Sequence, residues 1–152
     1  MANKTNAFEL EVLENWFNNQ DIPNLGDASG VRGSATAGSL YIALFTADPT
    51  DTGSFANECN GTNYSGYARA AVARTSGAWA ISGTTQVTNN STITFPQSAG
   101  TSAVITHAAV CKTLAGITST DMIIHGQLNN PLTVTSGVTP QFAAGNIIFT
   151  EE

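Results

Sequence analysis

The side chains able to do chemistry are few in this sequence and far apart. His107 and His125 each lie inside a short run of strand-forming residues, AVITHAAV (Ala103–Val110) and MIIHGQL (Met122–Leu128). A histidine so placed is expected to sit half-buried on a hydrogen bond, not to act as a catalyst. Ser-Gly pairs such as Ser65-Gly66, Ser76-Gly77, Ser82-Gly83 and Ser136-Gly137 fall between strand-like runs, and none belongs to a G-x-S-x-G elbow. A triad drawn from Ser65, His107 and Asp48 would need a geometry for which the sequence offers no motif. Asp48 and Asp51 flank Pro49-Thr50 and could in principle bind calcium or work as a glycosidase pair. Calcium loops, however, alternate several oxygen donors around a glycine, and a glycosidase pair is defined by a carboxylate separation of roughly 5 to 9.5 Å. Asp48 before proline suits a turn better, because its carboxylate can bond the backbone just ahead of it.

Cys59 and Cys111, in a chain whose start (MANKTNAFEL) lacks the apolar stretch of a secretion signal, read as free thiols, one buried and one in a loop. With the two histidines they share no metal-ligand spacing. There is no glycine-rich phosphate loop. The expectation is a protein that is not an enzyme and has no catalytic residue, cofactor or metal.

Composition narrows the partners. Charged residues are 11% of the chain, against roughly 25% in an ordinary soluble domain. Ser and Thr together number 33, with 14 Asn and 14 Gly, so uncharged polar groups do most of the solvating. The net charge is −6, and the five basic residues (Lys4, Arg32, Arg69, Arg74, Lys112) are scattered. Nucleic-acid and anionic-membrane binding both need clustered cations, so neither partner is expected. No apolar run approaches the ~20 residues of a membrane-spanning helix.

The elements that must position any functional group begin with a helix. Between Asn6 and Asn19 the apolar residues Phe8, Val12, Leu13, Trp16 and Phe17 form one stripe, with Glu9, Glu11, Glu14 and Asn15 on the other side. Asn6 is placed to cap it, with Glu9 three positions on. Residues 20–39, rich in Gly, Ala and Ser, read as an extended arm that orders against a partner or as a surface loop. From Leu40 the pattern turns to short β-branched and aromatic runs: 40–46, 67–74, 79–81, around Gln86, 92–95, 103–110, 122–128, 132–135 and 146–150. The predicted class is all-β, an antiparallel β-sandwich or jelly roll of about eight strands with one N-terminal amphipathic helix. The predicted division is 1–39, helix and arm, and 40–152, the β-domain.

Three aromatic residues, Tyr64, Tyr67 and Trp79, lie around loops and strand starts and could present a sugar-stacking platform; filling the core at strand ends is the competing role. Arg69 and Arg74, five apart, point to opposite sides of a strand, one to pair with an acidic neighbour and the other to reach solvent or a partner.

The order of motifs resembles a known family. After the amphipathic helix come LYIALFTADP (Leu40–Pro49), GYARAAV (Gly66–Val72), TITFP (Thr92–Pro96), THAAV (Thr106–Val110), HGQL (His125–Leu128) and FAAGNIIFTEE (Phe142–Glu152). This is similar to small tailed-bacteriophage virion structural proteins, labelled tail-fibre-like, minor structural or head-decoration proteins. Residues 20–39 and 51–63 fall outside the resemblance. It implies a non-catalytic protein of the virion, assembled in the host cytoplasm, homo-oligomeric, and in contact with the major capsid protein or tail proteins. The leading expectation is a capsid decoration (cement) protein; a tail-associated adaptor or fibre component is the alternative, and a host-glycan-binding module a third. In each structural role the partner-binding residues would be Phe8, Val12, Leu13, Trp16 and Phe17 on the helix and Arg32 in the arm.

Overall fold

The computed structural model describes residues 4–26 and 30–150. Nine strands, one α-helix and one short 3-10 helix (Ser119–Asp121) are present among them: α1 (Asn6–Asn18), β1 (Ser39–Phe45), β2 (Ala70–Ala73), β3 (Trp79–Ser82), β4 (Gln86–Asn89), β5 (Ile93–Thr94), β6 (Ala103–Cys111), β7 (Met122–Val134), β8 (Gln141–Phe142) and β9 (Ile148–Thr150). The paired strands whose register is defined run antiparallel, in the all-β class with an N-terminal helix that the sequence predicts. A four-stranded sheet has the order β2-β1-β6-β7, a three-stranded sheet the order β3-β4-β9, and β5 pairs with β8.

The chain separates into two compact units. The first holds residues up to 38, 73–93 and from 142 onward. Its helix is capped by Thr5, whose hydroxyl accepts from the Phe8 N–H at 3.4 Å, one residue earlier than the expected Asn6. Phe17 meets the ring of Trp79 edge-on at 5.0 Å and stacks on Phe149 at 6.1 Å. Arg74 donates from Nε and Nη2 to the Trp16 and Asn15 carbonyls, at 2.8 and 2.5 Å. Those carbonyls lie in the last turn of α1, where a cation also opposes the partial negative charge of the helix end. Buried Asn89 closes the other side: its amide donates to the Ser91 and Ala143 carbonyls and accepts from the Ile147 N–H, which aligns β9 against β4.

The described residues on either side of 27–29 fold back on one another instead of extending as an arm. Ile22 and Val31 exchange both backbone hydrogen bonds (2.7 and 2.9 Å), and the Asn19 side chain holds Ser34 from both sides, donating to its carbonyl and accepting from its N–H. Gly33 shows why glycine is needed here: an added Cβ would sit 2.1 Å from the Asn19 carbonyl oxygen.

The second unit holds residues 39–72 and 94–141. Ile42, Leu44 and Val110 form one buried row of its sheet, while Ala43, Phe45, Ala109 and Cys111 form the other, against which Phe55 packs. The expected strands 122–128 and 132–135 are one strand, β7. Pro131 fits because β7 is an edge strand, where a missing N–H costs nothing in the ladder. The register jumps from His107↔Gln127 to Ile105↔Leu132, so residues 128–131 bulge out opposite Thr106.

The helix is core to the first unit, so Phe17→Ala should lower unfolding free energy by about 3–5 kcal/mol in urea melts, whereas Trp16→Ala, at an exposed position, should change it by less than ~1 kcal/mol.

A buried arginine cluster and the candidate interaction surfaces

Arg69 immediately precedes β2, in the run Tyr-Ala-Arg-Ala-Ala-Val, and burial of that run carries its guanidinium out of water, leaving the side chain 2% exposed. Such a group requires a partner for each of its five N–H bonds. All five are found. Nε and Nη2 donate in parallel to Glu58 Oε1 and Oε2 at 2.7 and 2.8 Å. Nη1 donates to Asp121 Oδ2 at 2.7 Å and to the Thr113 carbonyl at 2.8 Å, and Nη2 reaches the Gly116 carbonyl at 2.6 Å. The Phe55 ring covers the guanidinium, 5.0 Å from its centroid.

The carboxylates are equally engaged. Asp121 Oδ1 accepts from the Thr113 N–H and hydroxyl, at 2.9 and 2.8 Å. Glu58 Oε1 also accepts from the Tyr67 hydroxyl at 3.0 Å, and that hydroxyl in turn accepts from the Leu44 N–H. Burial alone would lower the Arg69 pKa; hydrogen bonds to Glu58 and Asp121 more than reverse this, and the group stays a cation. The cluster ties the 46–69 segment and the β6–β7 loop to the end of the sheet. It is a structural knot with no free donor to offer a substrate.

The other candidates are also accounted for. His125 lies between Asp48 and Asp51, with Nδ1 and Nε2 each 3.6 Å from a carboxylate. Asp48 makes the expected turn, accepting from the Thr50 N–H at 2.8 Å. Among the described residues, no three His, Cys, Asp or Glu side chains gather closely enough to hold a metal ion. His107 bonds to Thr106, and no hydrogen bond joins it to Ser65 or Asp48. Cys59 and Cys111 are free and both buried: Cys111 ends β6, and Cys59 lies in a loop, as expected of one of them, drawn in because its N–H bonds the Leu44 carbonyl at the end of β1.

The sugar platform is not formed. Tyr64 and Trp79 are fully buried and Tyr67 commits its hydroxyl to Glu58 and Leu44, so these rings fill the core. The helix stripe is divided. Val12, Leu13 and Phe17 are buried in their own unit and present no face to a partner, which corrects the expectation for these three. Phe8 is half-buried, and Trp16 and Arg32 are exposed; Arg32 lies 4.0 Å from Asp21.

Compared with known families, residues 28–150 match the model of the podophage GP4 fiber I protein gp80. The chain belongs to this family. The fiber I family is one of tailed-phage virion structural proteins, the group that the motif order resembles. None of the curated proteins compared with the chain matches it. In this fiber I family member, the residues that sequence reasoning missed are Glu58 and Asp121 as partners of Arg69, and the loop they hold. One signal was present: an arginine inside an otherwise apolar strand run must meet a carboxylate somewhere.

Removing the cation should be severe. Arg69→Met leaves Glu58 and Asp121 buried and uncompensated, so a loss of about 3–5 kcal/mol is expected in urea unfolding. A second outcome concerns alkali. Cys59 and Cys111 are each pushed from 9.0 up to about 12, by burial first, with the Glu58 charge adding at Cys59. The fold therefore favours the protonated thiols. Their contribution is intact below pH 9, and is lost as pH rises from 9 towards 12 because the unfolded chain releases those protons first. The urea midpoint should fall above pH 9, and Cys59→Ala/Cys111→Ala should flatten the first part of that fall.

Proposed function

We propose that this chain is a component of the tail fibre of a podophage, working by protein–protein contact and transforming no substrate. The observation that carries this reading is the family match over residues 28–150, whose description names a fibre. It supports the tail-associated alternative over the capsid-decoration role, which the family description does not name. The partners are other virion proteins, and the location is the assembled particle. The arrangement of polar groups agrees: Arg69, Glu58, Asp121 and Asn89 are all consumed in fixing loops. Phe8, Trp16 and Arg32 remain on the surface as contact residues from the original set.

Copy number separates the two placements. Quantitative mass spectrometry of purified virions should find this chain at tens of copies or fewer per particle. Hundreds of copies would return it to the capsid lattice and remove the fibre assignment.

A further inference from the structure

Of the 14 asparagines in the chain, only Asn60 is followed by glycine. The amide carbon of an asparagine lies within reach of the backbone nitrogen of the next residue. A side chain on that residue shields the nitrogen, and glycine has none. The surroundings of Gly61 leave the approach open: apart from its chain neighbours, no atom lies within 4 Å of where a Cβ would stand. Among the described residues its N–H has no hydrogen-bond partner. The N–H groups on either side are both taken, that of Asn60 by Asn63 Oδ1 and that of Thr62 by Asn60 Oδ1, each at 2.9 Å. The second of these bonds holds the Asn60 amide against the 60–62 backbone. It also aims a donor at the oxygen that gains charge when its carbon is attacked. Asn60 and Gly61 are exposed, so water reaches them.

We infer that Asn60 is a site of self-modification, where the chain is its own nucleophile and water the one co-reactant. The Gly61 nitrogen gives up its proton and bonds to Asn60 Cγ; the Cγ–Nδ2 bond breaks, and ammonia leaves with that proton as a succinimide ring closes. Water then opens the ring at one of its two carbonyls. Opening at Cγ gives aspartate. Opening at the main-chain carbon gives isoaspartate, in which the chain runs through Cγ and the former Asn60 carbonyl is a free carboxylate. No electrons are exchanged, and either product adds one negative charge.

The position gives the change its effect. The Asn60 carbonyl accepts from the Asn63 and Tyr64 N–H groups at 3.2 and 2.8 Å, and Tyr64 is fully buried. Cys59 donates its N–H to the Leu44 carbonyl at 2.8 Å, and Glu58 grips Arg69 with both oxygens. Isoaspartate puts one more atom into the backbone between these two anchored ends, so it strains the hold on Arg69. Aspartate keeps an oxygen for the Thr62 N–H and only adds charge. This inference stands apart from the fibre reading, because it needs nothing beyond the folded loop.

The test ages the purified full-length chain at mildly alkaline pH, in native buffer and in urea. In native buffer a form one charge more acidic should accumulate, with peptide mapping by mass spectrometry placing the change at Asn60 and isoaspartate among the products. The isoaspartyl chain should melt several degrees below the parent. Gly61→Ala meets open space and no left-handed φ, so it should melt with the parent and lose most of the acidic form over the same time. Asn60→Asp should carry the extra charge from the start and melt closer to the parent than the isoaspartyl chain does. Absence of the acidic form in native buffer overturns the site, even where it forms in urea, since the folded turn would then protect Asn60. Equal modification of other asparagines, or of Asn60 in Gly61→Ala, overturns the role of Gly61. An isoaspartyl chain that melts with the parent overturns the coupling to the 58–64 segment.

Discussion

A guanidinium removed from water must have all its N–H bonds met by fixed acceptors, and this requirement organises the second unit. Arg69 is the only buried cation in that unit, and its five acceptors come from three places: Glu58, the 113–116 turn, and Asp121 just before β7. The cluster carries one positive and two negative charges, so it is not a neutral pair whose Coulomb energy alone explains its presence. Apolar side chains of similar volume would often be at least as stabilising. What hydrocarbon cannot supply is direction. Five N–H bonds in a planar fork specify where each acceptor lies to within a few tenths of an ångström, and two of the acceptors are backbone carbonyls, so the loop path itself is specified.

The first unit uses neutral groups and one cation to the same end. Asn89 has acceptor and donor capacity on one planar amide and spends both on the 143–147 turn, which otherwise has little side-chain bulk to position it. Arg74 closes the last turn of α1 from outside, a role that needs only the carbonyls left open at a helix end. The packing between Phe17, Trp79 and Phe149 then supplies the apolar part.

Eight of the nine strands were legible because each lies in a short β-branched or aromatic run bounded by turn residues, a local signal, whereas the two-residue β8 (Gln141–Phe142) is too short to give one. The merger of 122–128 with 132–135 was not legible, since Asn-Asn-Pro reads as a break unless the strand is known to lie at an edge and to bulge. The helix stripe was legible as a stripe only. Periodicity shows that Val12, Leu13, Trp16 and Phe17 share a side, but whether a ring enters its own core or faces outward depends on the crossing with β3 and β4, which places Phe17 inside and leaves Trp16 exposed. The arginine cluster was half legible: spacing says that one of Arg69 and Arg74 pairs with an acidic neighbour but not which, and the partners of Arg69 lie 11 and 52 positions away, beyond any local pattern.

Low charge and firm loops have a common consequence for a part of a particle. Uncharged polar surface is solvated well enough to keep a free subunit in solution, and it imposes a smaller desolvation cost than ionised side chains when a neighbour covers it. Where a surface is uncharged, recognition comes from shape more than from long-range field. Shape persists only where the backbone cannot relax, and in this chain the loop with the most exposed aliphatic group is also the one bound to the buried arginine. The charges of Arg69, Glu58 and Asp121 are therefore placed where they fix geometry from within.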